Sequence, residues 1–139
     1  MALRIIEEPD PSLADEQVVK DALGQWNVGV TGYSDYAPAY FFLRDGSNAV
    51  KGAVLAYTWG RMLHVDTFWV SDKLRGQGWG TKLLEAAHEA GRAKGAELAF
   101  LDTFCWQARP FYERFGYKVI AEVPLPPGFS RFYMLKSPL

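Results

Sequence analysis

The residues best suited to chemistry gather in VSDKLRGQGWGTKLLEAAHEAG, residues 70–91. Gly76, Gly78 and Gly80 stand between an apolar strand and a helix, with Arg75 just before them. Glycine inside a regular element costs roughly 0.5–1 kcal/mol relative to alanine, so three in five positions point to something approaching the main chain closely. A helix start exposes unpaired N–H groups and a partial positive charge. Glycines there let an anion reach those donors without meeting side chains, and Arg75 adds a cation. The combination suits a pyrophosphate; a tight structural turn is the plainer alternative. The P-loop spacing G-x-x-x-x-G-K-[ST] and the dinucleotide spacing G-x-G-x-x-G are both absent.

A second group lies in LHVDTFWV, residues 63–70. Strand alternation sets His64, Asp66, Phe68 and Val70 on one face and Leu63, Val65, Thr67 and Trp69 on the other. Two ionisable groups on one face of a largely apolar strand are costly unless they line a wet cleft. A structural hydrogen bond, between His64 and Asp66 or from a backbone N–H to Asp66, accounts for them equally well. Cys105 is the only cysteine, which fits a reducing cytosol and rules out an internal disulfide. No histidine with a clear activating role is near it in sequence, so a catalytic thiol is the weaker reading. His88 reads as an ordinary surface or half-buried residue.

These groups need elements to hold them. LRIIEE (3–8) reads as a short first strand, and DPSLADEQVVKDALGQWN (10–27) as a helix with Ser12 as N-cap and apolar positions at Leu13, Val18, Val19, Ala22, Leu23 and Trp26. VGVTGYSDYAPAY (28–40) reads as loop or a broken short helix. Three strand-like runs follow, joined by RDGSN and WGRM. Next come a helix from about Gly78 to Lys94, a buried strand (96–104), a short helix in QARPFYERFG, and strands YKVIAEV and SRFYMLK around the loop PLPPGF. Together they predict one α+β domain over residues 1–139, around a central mixed sheet with a parallel crossover from His64 to Thr103.

The 139 residues are 49% apolar and 15% aromatic, enough for a real core. A net charge of −1 without a basic run argues against a nucleic-acid partner. No apolar run approaches 18 residues and the first residues lack signal-peptide order, so a cytoplasmic chain with no membrane partner is expected.

RGQGWG resembles the [QR]-x-x-G-x-[GA] acetyl-CoA signature of the GNAT acetyltransferase superfamily, with Arg75, Gly78 and Gly80 on its defining positions. ARPFYERFGYKV is similar to that superfamily's second motif, A-x-x-x-Y-[EKR]-x-x-G-[FY], at Ala108, Tyr112, Gly116 and Tyr117. The resemblance spans nearly the whole chain. It implies a splayed mixed sheet of six to seven strands flanked by about four helices, holding acetyl-CoA as co-substrate between two strands, with no metal. The pyrophosphate would meet main-chain N–H groups from about Gln77 to Thr81, beside Gly76 and Trp79. Backbone from Trp69 through Val70 to Ser71 would pair with the pantetheine and aim an N–H at the thioester oxygen, the usual largest electrostatic term in acyl transfer. Ala108, Phe111 and Tyr112 complete the implied cofactor contacts. Cys105 stands where many members carry an asparagine that touches the pantetheine, and a thiol does not reproduce that amide.

The resemblance also implies direct transfer to an amine through a tetrahedral intermediate. An amine of pKa near 10.4 is neutral only about once in a few thousand molecules at pH 7. A base must therefore take its proton, and an acid must protonate the departing thiolate. Tyr112 matches the family's acid. Asp66 or His64 could serve as base through water, and the residues leave that choice open. Tyr33, Tyr36, Tyr40, Phe41 and Asp35, with Asp66 and Phe68, occupy the region where the family builds its acceptor site; rings and a carboxylate suit a cationic amine. Glu122 or Arg131 near the PLPPGF loop could contribute. The acceptor expected is a small primary amine (polyamine, amino acid or amine antibiotic). Alternatives are a protein lysine or N-terminal amine, a non-catalytic acyl-CoA-binding module, a nucleotide-dependent enzyme, and a purely structural protein. A homodimer is the family's common state.

Overall fold

A computed structural model describes residues 2–139. The chain divides into two compact units, residues 1–34 and 35–139. In the first, helix α1 (Leu13–Thr31) starts where the Ser12 side chain accepts a hydrogen bond from the Asp15 N–H at 3.0 Å. It runs four residues beyond the expected end at Asn27, because the Thr31 hydroxyl donates to the Asn27 carbonyl at 2.7 Å and left-handed Gly32 closes the last turn. No α1 residue is buried. The expected strand over Leu3–Glu8 does not form: these residues are irregular, and Leu3 and Ile5 are fully exposed. A lone strand leaves its N–H and C=O groups unpaired and needs a ladder neighbour.

The second unit opens with the antiparallel strands β1 (Ala37–Arg44) and β2 (Val50–Trp59). Their turn is built on Asp45, whose carboxylate accepts from the backbone N–H groups of Ser47 and Ala49. β3 (Met62–Val70) returns beside β2 through a turn at left-handed Gly60. A short 3-10 turn (Asp72–Leu74) leads through the glycines into α2 (Trp79–Ala93). β4 (Leu98–Phe104), α3 (Arg109–Arg114), β5 (Lys118–Leu125) and β6 (Phe129–Lys136) complete the unit. The sheet order is β1-β2-β3-β4-β6-β5, with β3 and β4 parallel and every other pair antiparallel. The α+β mixed sheet and the parallel crossover match expectation, with six strands and three α-helices among the described residues.

α2 buries Leu83, Leu84, Ala87 and Gly91. A Cβ at Gly91 would lie 3.2–3.3 Å from Leu63, so glycine here allows helix and sheet to approach closely. The core on this side holds Val54, Ala56, Leu63, Val65, Leu101, Phe132 and Met134. His88 is more buried than the surface or half-buried residue expected: it is 3% exposed, with Nε2 2.7 Å from the Tyr117 hydroxyl. Burial, followed by the charges of Lys136 and Arg92, holds its pKa down at about 4. Among the described residues, no helix is long and apolar enough to cross a membrane.

Candidate active site

The strand carrying His64 and Asp66 does not alternate as a regular strand would. Leu55 faces Thr67 while Ala56 faces Val65, leaving Asp66 as one extra residue. Such a bulge reverses side-chain parity beyond it. Leu63 and Val65 therefore share the core side with Phe68 and Val70, and the expected grouping of His64 and Asp66 with Phe68 is corrected. His64 lies opposite the α2 side, between the rings of Tyr57 (5.0 Å) and Phe100 (5.3 Å). Both its ring nitrogens are buried without a hydrogen bond. Asp66 is exposed, and its charge helps burial to raise the Tyr57 phenol pKa.

The bulge sits where two strands part company. β3 pairs with β4 only from Met62 to His64, against Leu98 to Phe100. Beyond that point β4 pairs only with β6, through Phe104, while β3 continues alone on this edge to Val70. The Ser71 N–H is taken by the Lys51 carbonyl at 2.8 Å. Ladder alternation then turns the N–H groups of Phe68 and Val70 toward the open notch. Of the expected Trp69–Ser71 donors, Val70 fits that role; Ser71 and Trp69 face β2.

At the mouth of the notch, Gly76 and Gly78 have φ of +76° and +87°. A Cβ on either would meet nothing within 4 Å. Backbone twist, not crowding, demands glycine at these two positions, and the space before them is open. Gly78 is the N-cap of α2, and no side chain caps that end. Helix geometry leaves the first-turn N–H groups, from Trp79 to Thr81, without carbonyl partners inside the helix. Arg75 is held by its Nε donating to the Val70 carbonyl at 3.0 Å, which leaves its two terminal nitrogens available. Gln77 donates to the Lys73 carbonyl at 3.2 Å. Lys82 places its ammonium 4.6 Å over the Trp79 ring.

Behind the turn stands Tyr112, on α3, 6% exposed. Phe68 links it to the turn: a Gly80 Cβ would lie 3.5 Å from Phe68 and 3.6 Å from Phe111, while the Phe68 and Tyr112 rings are 6.1 Å apart. Burial first, then the Asp102 carboxylate, pushes the Tyr112 phenol up to about 12. It therefore remains a proton donor at any physiological pH. Asp102 was not among the expected residues. Its signal is a lone carboxylate inside the apolar strand FLDTF, stabilised there by Arg131 at 2.6 and 2.8 Å.

The structure thus brings together Gly80, Phe68, Phe111 and Tyr112, with Val70 and Arg75 on the same edge. It keeps His64 apart from them, in a ring row with Tyr57 and Tyr36, the latter two 5.4 Å apart. Tyr33 belongs to the first unit. Asp35 is engaged by the Gly60 N–H at 2.9 Å, Phe41 packs on the core, and Tyr40 and Glu122 are exposed. Cys105 and Ser130 bond reciprocally, N–H to carbonyl at 2.9 Å and N–H to Sγ at 3.4 Å, tying the start of α3's approach to the β5–β6 hairpin. Ala108 caps α3 and packs on the core.

Residues 37–119 match the acetyltransferase (GNAT) domain family profile. An acetyltransferase of Agrobacterium fabrum is 33% identical over 122 residues, covering 87% of this chain and 89% of its own length. The blasticidin-S acetyltransferase of Streptomyces morookaense is 33% identical over 90 residues, 63% of this chain and 66% of its own. A solved structure from Agrobacterium tumefaciens superposes with TM-score 0.89 at 29% identity, covering 97% and 99% of the two chains. An acetyltransferase structure from Bacillus cereus does so with TM-score 0.80 at 25% identity, covering 96% and 97%. An uncapped helix start on a glycine turn, beside a notch between diverging strands with a buried phenol behind it, belongs with these matches: the chain is an enzyme of the GNAT acetyltransferase family.

Proposed function

We propose that the protein is a cytoplasmic, homodimeric N-acetyltransferase that moves the acetyl group of acetyl-CoA to a primary amine on a small molecule. The observation that carries the reading is the joining of the Gly76–Gly80 turn to Tyr112 through Phe68. The turn's free N–H groups and the terminal nitrogens of Arg75 suit the diphosphate of acetyl-CoA. The open space at Gly76 and Gly78 admits it. The notch edge of β3 then offers the Phe68 and Val70 N–H groups to a pantetheine arm laid along it.

Acetyl-CoA supplies an acetyl group activated as a thioester. The Val70 N–H is placed to stabilise the carbonyl oxygen as it gains charge. Asp66, exposed on the bulge at the end of the β3–β4 pairing, takes the proton that the amine nitrogen must lose, through water. Tyr112 gives its proton to the thiolate that leaves when the carbon–sulfur bond breaks and the carbon–nitrogen bond forms. An ammonium acceptor loses two protons in all: one is released to solvent before attack, and the one taken through Asp66 restores, through solvent, the proton that Tyr112 gives to the thiolate.

The relative that acetylates blasticidin S supports a small nitrogen-rich acceptor. The test is release of free CoA thiol from acetyl-CoA with a panel of amines: blasticidin S, other amine antibiotics, polyamines, amino acids and lysine peptides. Turnover with a small amine, lost in Tyr112→Phe, is expected. Turnover confined to peptides would overturn the acceptor class. A thermal shift with NAD or ATP and none with acetyl-CoA would overturn the donor.

A further inference from the structure

His64 and Phe100 are the last paired positions of β3 and β4, and two residues beyond them each bank of the notch carries a carboxylate: Asp66 on β3 and Asp102 on β4. On β4, Ala99, Leu101 and Thr103 are buried on the core side, so alternation turns Phe100, Asp102 and Phe104 to the face away from α2. His64 and its opposite number Tyr57 stand on that face too, and the Asp66 charge acts on the Tyr57 phenol. The two carboxylates thus look onto the notch from its two banks, on the side away from α2.

Arg131 does not use up Asp102. Its two bonds fall on one oxygen, from Nε at 2.8 Å and Nη2 at 2.6 Å to Oδ2, which leaves Oδ1 for another donor. Arg131 is itself held in place, its guanidinium carbon 5.3 Å from the Phe104 ring centroid and 5.4 Å from that of Tyr133. The Asp102 side chain is 23% exposed, so a ligand in the notch can reach it. Desolvation offsets much of the attraction in a half-buried ion pair, so stability alone gives little reason for a carboxylate inside the apolar run FLDTF. Its charge also reaches the phenol of Tyr112, the residue read above as donor to the leaving thiolate.

We propose that Asp102 binds the acceptor amine: its Oδ1 accepts an amine N–H from the β4 bank, while Asp66 works from the β3 bank. Arg131 is the positioning residue that holds Asp102 there. The inference deepens the N-acetyltransferase reading and rests on it. Two carboxylates and one guanidinium leave one negative charge, the complement of a single ammonium. Strands just past a paired spacing of about 4.8 Å leave room for an ammonium that makes a charge-assisted bond of about 2.8 Å to each side. Once one proton has gone to solvent, the neutral amine keeps N–H groups for Oδ1, which orients its lone pair toward the thioester carbon. Asp102 therefore selects acceptors that arrive as cations, and its role is binding, not proton removal.

The test separates the constants of the two substrates. CoA thiol release is measured with blasticidin S, spermidine and L-lysine as acceptors, varying amine and acetyl-CoA in turn. Asp102→Asn is expected to raise KM for the accepted amine about ten- to hundredfold, with KM for acetyl-CoA within about twofold. Arg131→Gln should move the same constant in the same direction by a smaller factor, again without moving that of acetyl-CoA. An unchanged amine KM in Asp102→Asn overturns the inference. So does a variant in which both KM values rise together and the melting midpoint falls, because the ion pair is then only a wall of the fold. An unaltered enzyme that acetylates none of the three amines overturns the small-amine reading, and this inference with it. An active unaltered enzyme with an indifferent Asp102→Asn form leaves that reading standing and removes Asp102 alone.

Discussion

In the role proposed for Tyr112, burial sets the protonation state. Its phenol is pushed up to about 12, so the protonated form persists far above neutrality and Tyr112 itself gives kcat no descending alkaline limb below about pH 11. A profile from pH 6 to 10.5 should rise with deprotonation of the amine and stay level; a fall near pH 9 that disappears in Tyr112→Phe would refute the assignment. Tyr112→Phe itself should lower kcat about 100-fold or more with little change in KM for acetyl-CoA, since the hydroxyl is proposed to act on the leaving group. Asp66 and His64 separate in the same experiment. Asp66→Asn should cost about 10²–10⁴-fold in kcat/KM. His64→Phe should leave turnover within a few-fold and stability equal or higher, because it replaces two unpartnered buried nitrogens with a ring that fits between Tyr57 and Phe100. The helical position of Tyr112 was legible in the sequence because its motif is local. The distinction between Asp66 and His64 was not, because it depends on which face each residue takes after a bulge that only the β2–β3 pairing creates.

The elements position the site through two glycines with different demands. Gly78 sits at φ +87° with open space around it, whereas Gly52 has an ordinary φ but a Cβ there would lie 2.9 Å from the Trp69 carbonyl oxygen. Gly78→Ala should therefore strain the turn by about 1–2 kcal/mol and raise KM for acetyl-CoA roughly tenfold. Gly52→Ala should push β2 and β3 apart beside the notch and lower kcat and stability together. Gly80→Ala, with contacts at 3.5 Å, is the mild control. α2 was readable from its apolar spacing, as were the hairpins from their turn residues. Its buried His88 was not, since the partner that makes burial tolerable, Tyr117, is 29 residues away. That pair has a pH signature. His88 is held at about 4 when folded and titrates near 6.5 when unfolded, so the unfolded chain binds more protons between those values. Stability should be full above about pH 6.5 and fall by roughly 2–3 kcal/mol as pH drops to 4. Urea unfolding at pH 7.5, 5.5 and 4.2 checks this, and His88→Gln should flatten the change.

At the scale of the whole molecule, a net charge of −1 conceals two oppositely charged parts, −4 in the first 34 residues and +3 in the rest. Composition alone cannot reveal that division, and amphipathic spacing does not say which surface a helix will meet. The same limit explains the missing first strand: LRIIEE has strand-like residues, but a strand is a property of two neighbours. An isolated helix of 19 residues is marginal in water, because its nucleation cost is offset mainly by tertiary packing. Among the described residues, α1 holds 19 of the 40 that are α-helical. Its start is fixed within its own unit by the Ser12 side chain, which accepts from the Asp15 N–H at 3.0 Å. Ser12→Ala should therefore cost about 1 kcal/mol of helix stability, read as an earlier loss of ellipticity at 222 nm on heating; an unchanged melting curve would mean that the cap contributes nothing.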